Sequence, residues 1–168
     1  MKKLICLILL IEAFGKIYAQ TPSYEIFIDG NQADALYGSS LSAAGDINGD
    51  GFQDLVVGAY NFDGPEVNEG KIDIYLGSPI GLSLTPTTTI EGNQASAQFG
   101  FAVANAGDVN NDGFSDIIVG APNYDNGETN EGRVYIYHGS AAGIITTPAT
   151  ILESNQASAY YGGSVSAA

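Results

Sequence analysis

An all-β chain assembled from β-propeller blades is what the sequence predicts, on three observations. Segments recur 62 residues apart. Each copy contains four short stretches with strand patterning. Helical spacing of apolar residues is absent beyond the first 20 positions.

The repeat sets the organisation. "NQA" begins at Asn31, Asn93 and Asn155, and Tyr37, Phe99 and Tyr161, each followed by glycine, keep the same 62-residue step. Aligned without gaps, residues 31–92 and 93–154 agree at roughly half of their positions, far above chance for a repeat array. The expected units are therefore 31–92, 93–154 and the start of a third, 155–168.

Within the first copy, "GSSLSAAG" (Gly38 to Gly45) reads as a first strand. "DLVVGA" (Asp54 to Ala59) is a second, and its unbroken apolar run predicts burial on both faces. "GKIDIYLGS" (Gly70 to Ser78) alternates and gives a third, and β-branched "TTTIE" (Thr87 to Glu91) a fourth. Gly, Asn, Asp and Pro punctuate the junctions. Four short strands are the content of one propeller blade.

A lone fourth strand is expected over 20–30, because "YEIFIDGNQ" (Tyr24 to Gln32) aligns with "TTTIEGNQ" and "ATILESNQ". Such a strand would complete the last blade and close the ring. Propellers typically carry 4–8 blades, so the chain reads as the N-terminal portion of a longer protein, with unpaired strand edges that invite association.

Residues 1–19 read as a secretory signal peptide: Lys2 and Lys3, an apolar run from Leu4 to Ile11, and small Ala19 before Gln20. The run is too short to span a bilayer, which takes about 20 apolar residues. Cys6, the one cysteine, lies inside it, so the mature chain would have no disulfide to brace it. The chain carries 19 acidic and 5 basic residues, and Lys2, Lys3 and Lys16 belong to the leader. Such a charge repels nucleic acid and anionic membranes and attracts cations. No nucleic-acid partner and no membrane span are expected, and the location would be secreted or cell-surface.

The acidic stretch "GDINGDGFQDL" (Gly45 to Leu55) returns as "GDVNNDGFSDI" (Gly107 to Ile117). Alternating oxygen side chains on a tight loop suit Ca²⁺, which takes six to eight oxygen ligands at about 2.3–2.6 Å. Asp46, Asn48 and Asp50 would supply side chains, Gly51 the turn, Phe52 its backbone carbonyl, and Asp54 the closing carboxylate. Asp108, Asn110, Asp112, Phe114 and Asp116 repeat the set. Without a cation the carboxylates crowd: two unit charges 4 Å apart repel by about 4 kcal/mol at an effective dielectric of 20.

Three other readings compete. An EF-hand requires a Glu at loop position twelve, where Val57 and Val119 stand. Mg²⁺ prefers a smaller octahedral shell and keeps its waters. A metal-free, Asx-rich hairpin explains one such loop but not two with the same donors at the same five positions. A further recurring segment, "NFDGPEVNEG" (Asn61 to Gly70) and "NYDNGETNEG" (Asn123 to Gly132), reads as a solvated inter-strand loop.

Phe99-Gly100 and Gly120-Ala121-Pro122, with the acidic loop between them, resemble the FG-GAP repeat of integrin α-subunit propellers; Tyr37-Gly38 and Gly58-Ala59-Tyr60 are a looser copy. The resemblance runs from about Tyr24 to Ala168 and extends to secreted bacterial proteins and a glycosylphosphatidylinositol-cleaving phospholipase. It implies a seven-bladed propeller. It places a Ca²⁺ loop between the first two strands of a blade, on the face away from ligand, and carries calcium ligation onto the five positions named in each copy.

Catalytic residues are scarce. His138 is the one histidine; its counterpart a repeat earlier is Leu76, so it reads as a packing variant. No nucleophile elbow, phosphate loop or zinc spacing occurs. The expected function is an extracellular calcium-binding propeller that binds protein or glycan in adhesion and is not an enzyme. The alternative is a non-catalytic scaffold within a larger secreted hydrolase of phospholipase or glycan-degrading type.

Overall fold

The computed structural model describes residues 28–167. The leader expected over 1–19 lies outside them, as does most of the strand expected over 20–30; residues 28–32 form no strand. Eight strands and no helix make up the described chain: β1 (Ser40–Gly45), β2 (Asp54–Ala59), β3 (Lys71–Tyr75), β4 (Thr88–Glu91), β5 (Ala102–Gly107), β6 (Asp116–Ala121), β7 (Arg133–Tyr137) and β8 (Thr150–Glu153). They form two antiparallel four-stranded sheets, ordered β1-β2-β3-β4 and β5-β6-β7-β8. The fold is all-β, of propeller-blade type.

Each sheet starts with the same irregularity. The β1–β2 register slips between Ala43 and Gly45, and the β5–β6 register between Asn105 and Gly107. Gly45 and Gly107 follow the slip with φ of 78° and 77°, a conformation glycine adopts without penalty. The bulge turns the chain out of the sheet and into the acidic loop.

The register places Val56 opposite Ile74, and Ile72 opposite Ile90, on one face of the first sheet. All four are buried, and each is worth about 1.5–3 kcal/mol. This face lies against the second sheet, since β1 and β2 pack on β5. Asp54–Ala59 is covered on both faces apart from half-buried Leu55, as its apolar run predicts. The far face of β1 turns outward, leaving Leu41 64% exposed where its counterpart Val103 is 8% exposed.

Consecutive repeats are joined at a seam of close backbone contacts. Gly70 forms a parallel bridge with Phe99, and Gly132 with Tyr161. The Phe99 N–H donates to the Glu69 carbonyl at 2.9 Å, and the Ser96 N–H to the Val67 carbonyl at 2.8 Å. Phe99 then meets Tyr135 and Tyr137 edge-on, with centroids 5.2 and 6.3 Å away, a favoured aromatic geometry. "NQA" has its own task. The Gln94 side chain donates to the Asp125 carbonyl at 2.8 Å and accepts the Asp125 N–H at 2.7 Å. Gln32 holds Asp63 in the same way, with both bonds at 2.8 Å.

The segment 61–70 is not merely a solvated loop. Glu69 and Glu131 are fully buried. Glu69 Oε2 accepts the Asn93 N–H at 2.9 Å, fastening the next repeat, while Oε1 has no hydrogen-bond partner. Burial raises the Glu69 carboxyl above its ordinary value of 4.5, against the downward pull of the Asn93 N–H. Between the two values the folded chain binds more protons than the unfolded one, so the penalty is absent below 4.5 and complete above the folded value. Glu69→Gln removes the titration. In urea titrations the parent is expected to lose stability relative to this variant as pH rises from 4.5 to neutrality. A constant difference would show that Glu69 titrates as in the unfolded chain.

Candidate cation loops

Both acidic loops occupy equivalent places, joining β1 to β2 and β5 to β6. The first aspartate organises each turn. Asp46 Oδ1 accepts the N–H groups of Gly49 and Asp50 at 2.7 and 3.0 Å, and Oδ2 that of Gly51 at 2.8 Å. Asp108 accepts from Asp112 and Gly113 at 3.0 and 2.9 Å. Gly51 and Gly113 have φ of 89° and 93°, which favours glycine. At the third position, the Asn48 amide donates to Asp50 Oδ2 at 2.9 Å, and the Asn110 amide to Asp112 Oδ2 at 2.8 Å. Asp50 Oδ1 accepts the Phe52 N–H, and Asp112 Oδ1 the Phe114 N–H, both at 3.0 Å.

Asp54 and Asp116 behave differently from the other acids. They open β2 and β6 and are buried. Asp54 Oδ2 accepts the Ile47 N–H at 2.8 Å, and Oδ1 the Gly77 N–H at 2.7 Å. Asp116 takes Val109 and Gly139 at 2.8 and 2.9 Å. Each carboxylate thus ties the start of its loop to the chain leaving the third strand. Burial raises the Asp54 carboxyl; the Gly77 and Ile47 N–H groups lower it, and the nearby charges of Asp50 and Asp46 raise it again.

Neighbouring loops also touch. The Ser115 N–H donates to the Asp46 carbonyl at 2.9 Å, and the Ser140 N–H to the Ile47 carbonyl at 3.1 Å. Phe114 covers Gly49 with its ring. The first loop is therefore partly enclosed by the second, whose Asp108, Asn110 and Asp112 are exposed.

Among the described residues, no group of three His, Cys, Asp or Glu side chains is disposed to hold a metal ion. The donor chemistry nevertheless fits a hard cation. All the side-chain donors are oxygens. Asp50 and Asp54 each accept one hydrogen bond at each carboxylate oxygen, which leaves lone pairs free on both.

The FG-GAP repeat pattern matches residues 37–75 and 99–137, the first spanning β1–β3 and the second β5–β7, each with its acidic loop. The chain is an FG-GAP repeat protein. It is 39% identical over 132 residues to integrin alpha-3 of Cricetulus griseus, 40% over 136 to integrin alpha-PS2 of Drosophila melanogaster and 38% over 138 to integrin alpha-7 of Homo sapiens. Each alignment covers 77% of this chain but only 12%, 10% and 10% of those relatives. The FG-GAP chain thus spans about a tenth of the length of the curated relatives it matches. Its described residues contain no helix long and apolar enough to cross a membrane.

The seam gives the motif a physical meaning. The glycine of "GA" in one repeat must admit the "FG" glycine of the next. A Cβ on Gly58 would lie 2.2 Å from the Gly100 carbonyl oxygen, and one on Gly120 would lie 1.9 Å from that of Gly162. Three residues are not marked by the sequence pattern. Glu69 and Glu131 looked like ordinary loop acids; their recurrence directly before a glycine at the 62-residue step was the available signal. His138, matched to Leu76, lies beside the second loop, with Nδ1 3.1 Å from Asn110 Nδ2.

Proposed function

We propose that this chain forms part of an extracellular, Ca²⁺-stabilised propeller of seven blades that binds a protein or glycan ligand in adhesion. On this reading 31–92 and 93–154 are complete blades, 155–168 opens a third, and residues 1–19 direct secretion. The observation that carries the reading is the paired acidic loop, with the same five oxygen-bearing positions at the same place in two sheets. Asp46, Asn48, Asp50, the Phe52 carbonyl and Asp54 would hold one ion; Asp108, Asn110, Asp112, the Phe114 carbonyl and Asp116 would hold the other. The bound ion would neutralise carboxylates that otherwise repel and would lock the turn that Asp46 or Asp108 already shapes. The integrin alpha relatives support adhesion as the role. The two basic residues in the described region support ligands other than nucleic acid. Lys71 pairs with Asp73 and lies over Phe62, and Arg133 pairs with Glu153 and stacks on Tyr124. No catalytic role is assigned.

Calorimetry of the chain in Ca²⁺ and in chelator tests the cation reading. Occupancy at 100 times the dissociation constant adds about 2.7 kcal/mol per site, so a clear rise in melting temperature is expected. Equal melting in both buffers would refute it. Binding of the intact protein to immobilised extracellular-matrix proteins and to a glycan array tests the adhesive role; capture by neither would argue against it.

A further inference from the structure

The two acidic loops differ at the first aspartate, where Asp46 accepts a Gly49 N–H that has no counterpart on Asp108, and again at the asparagine. In the first, the Asn48 amide nitrogen has a single side-chain acceptor, Asp50 Oδ2 at 2.9 Å. Leu76, at the matching place after β3, packs on the hydrophobic core instead. In the second, the Asn110 amide nitrogen lies between two acceptors, Asp112 Oδ2 at 2.8 Å and His138 Nδ1 at 3.1 Å. An amide nitrogen only donates, so His138 Nδ1 accepts and the ring hydrogen sits on Nε2. With both amide hydrogens directed in this way, the Asn110 carboxamide is held by two side chains, Asp112 and His138, where that of Asn48 is held by one. Its Oδ1 stays turned to the loop backbone, where it accepts the Asp112 N–H at 3.0 Å.

We propose that His138 is a positioning residue for the second cation loop, holding the Asn110 carboxamide so that Oδ1 is presented to the ion, and that the two loops are consequently unequal in affinity. This rests on the cation reading given above. His138 touches no ion itself; it adds a second side-chain partner to a carboxamide oriented as that of Asn48 is, where Asn48 Oδ1 accepts the Asp50 N–H at 3.1 Å. Organising one donor in advance is worth about one net hydrogen bond, or roughly a fivefold difference in dissociation constant.

The test uses the full chain with the first loop disabled by Asp50→Ala, an exposed position, so that calcium titration by calorimetry reports the second loop. His138→Leu, which copies the first repeat, is expected to weaken binding about fivefold. His138→Asn, whose Oδ1 is placed much as the imidazole Nδ1 is, is expected to restore it. A metal-free measurement runs alongside: the Asn110 side-chain amide resonances should move in His138→Leu and return in His138→Asn. Unchanged affinity or unmoved resonances in His138→Leu would overturn the positioning role alone. No calcium binding by the parent would overturn the cation reading and this inference together.

Discussion

Asp54→Ala is expected to lower the unfolding free energy by about 2–6 kcal/mol, even with calcium removed. The reason is local. Asp54 is buried and accepts two backbone N–H groups, from Ile47 and Gly77. Alanine leaves both donors without a partner away from water, at about 1–3 kcal/mol each. Asp54→Asn keeps the volume and one acceptor oxygen and should recover about half of the loss. Urea denaturation in chelator separates this anchoring from any contribution of a bound ion. An Asp54→Ala variant within about 0.5 kcal/mol of the parent under those conditions would mean that the carboxylate matters only as a cation ligand. Asp116→Ala should follow the same pattern through Val109 and Gly139.

Gly58→Ala carries the second large effect. The backbone of Gly58 is outside the left-handed region, so the cost is purely steric. The added methyl would stand 2.2 Å from the Gly100 carbonyl oxygen and 2.3 Å from Ser40 Oγ. Ser40 can turn aside, although it would lose its 2.7 Å bond to that same carbonyl. The Gly100 backbone cannot yield without opening the seam that Phe99 and Glu69 hold together. Overpacking of this kind costs about 1–3 kcal/mol, and a rigid backbone obstacle places Gly58→Ala at the upper end. A fall in melting temperature of about 10 °C is expected. Gly163→Ala serves as the comparison: its nearest neighbour would be 3.3 Å away, and it should melt close to the parent. Equal melting of the Gly58 and Gly163 variants would show that the seam accommodates a side chain.

Much of this architecture is legible in the residues. The strands follow from β-branched runs and glycine-rich junctions, and the third strand is shorter than expected, Lys71–Tyr75 within Gly70–Ser78. The flanking Leu76-Gly77-Ser78 leaves the ladder because Gly77 turns its N–H to Asp54. The acidic loops stand where their spacing puts them, between the first and second strands. Spacing says nothing about burial, however. Asp46 and Asp54 look alike in a string of aspartates, yet one shapes a turn and the other lies inside the sheet. Glu69 was unreadable for a related reason: an acid among Asn and Gly reads as a turn, and only the docked next repeat closes over it. His138 was obscured by alignment with Leu76, because its partner Asn110 lies 28 residues away in sequence.

The seam also carries a consequence for ancestry. Each contact in it recurs one 62-residue step later: Gly58 to Gly100 returns as Gly120 to Gly162, and Gly70 to Phe99 as Gly132 to Tyr161. Duplicating or deleting a whole 62-residue unit, wherever the breakpoint falls within it, rebuilds a valid joint on each side. Gain or loss of any other length strands one half of a joint. Unequal crossing-over within such a gene would thus yield foldable products only in whole steps. The near-identical spacing of successive copies is the trace that such a filter leaves.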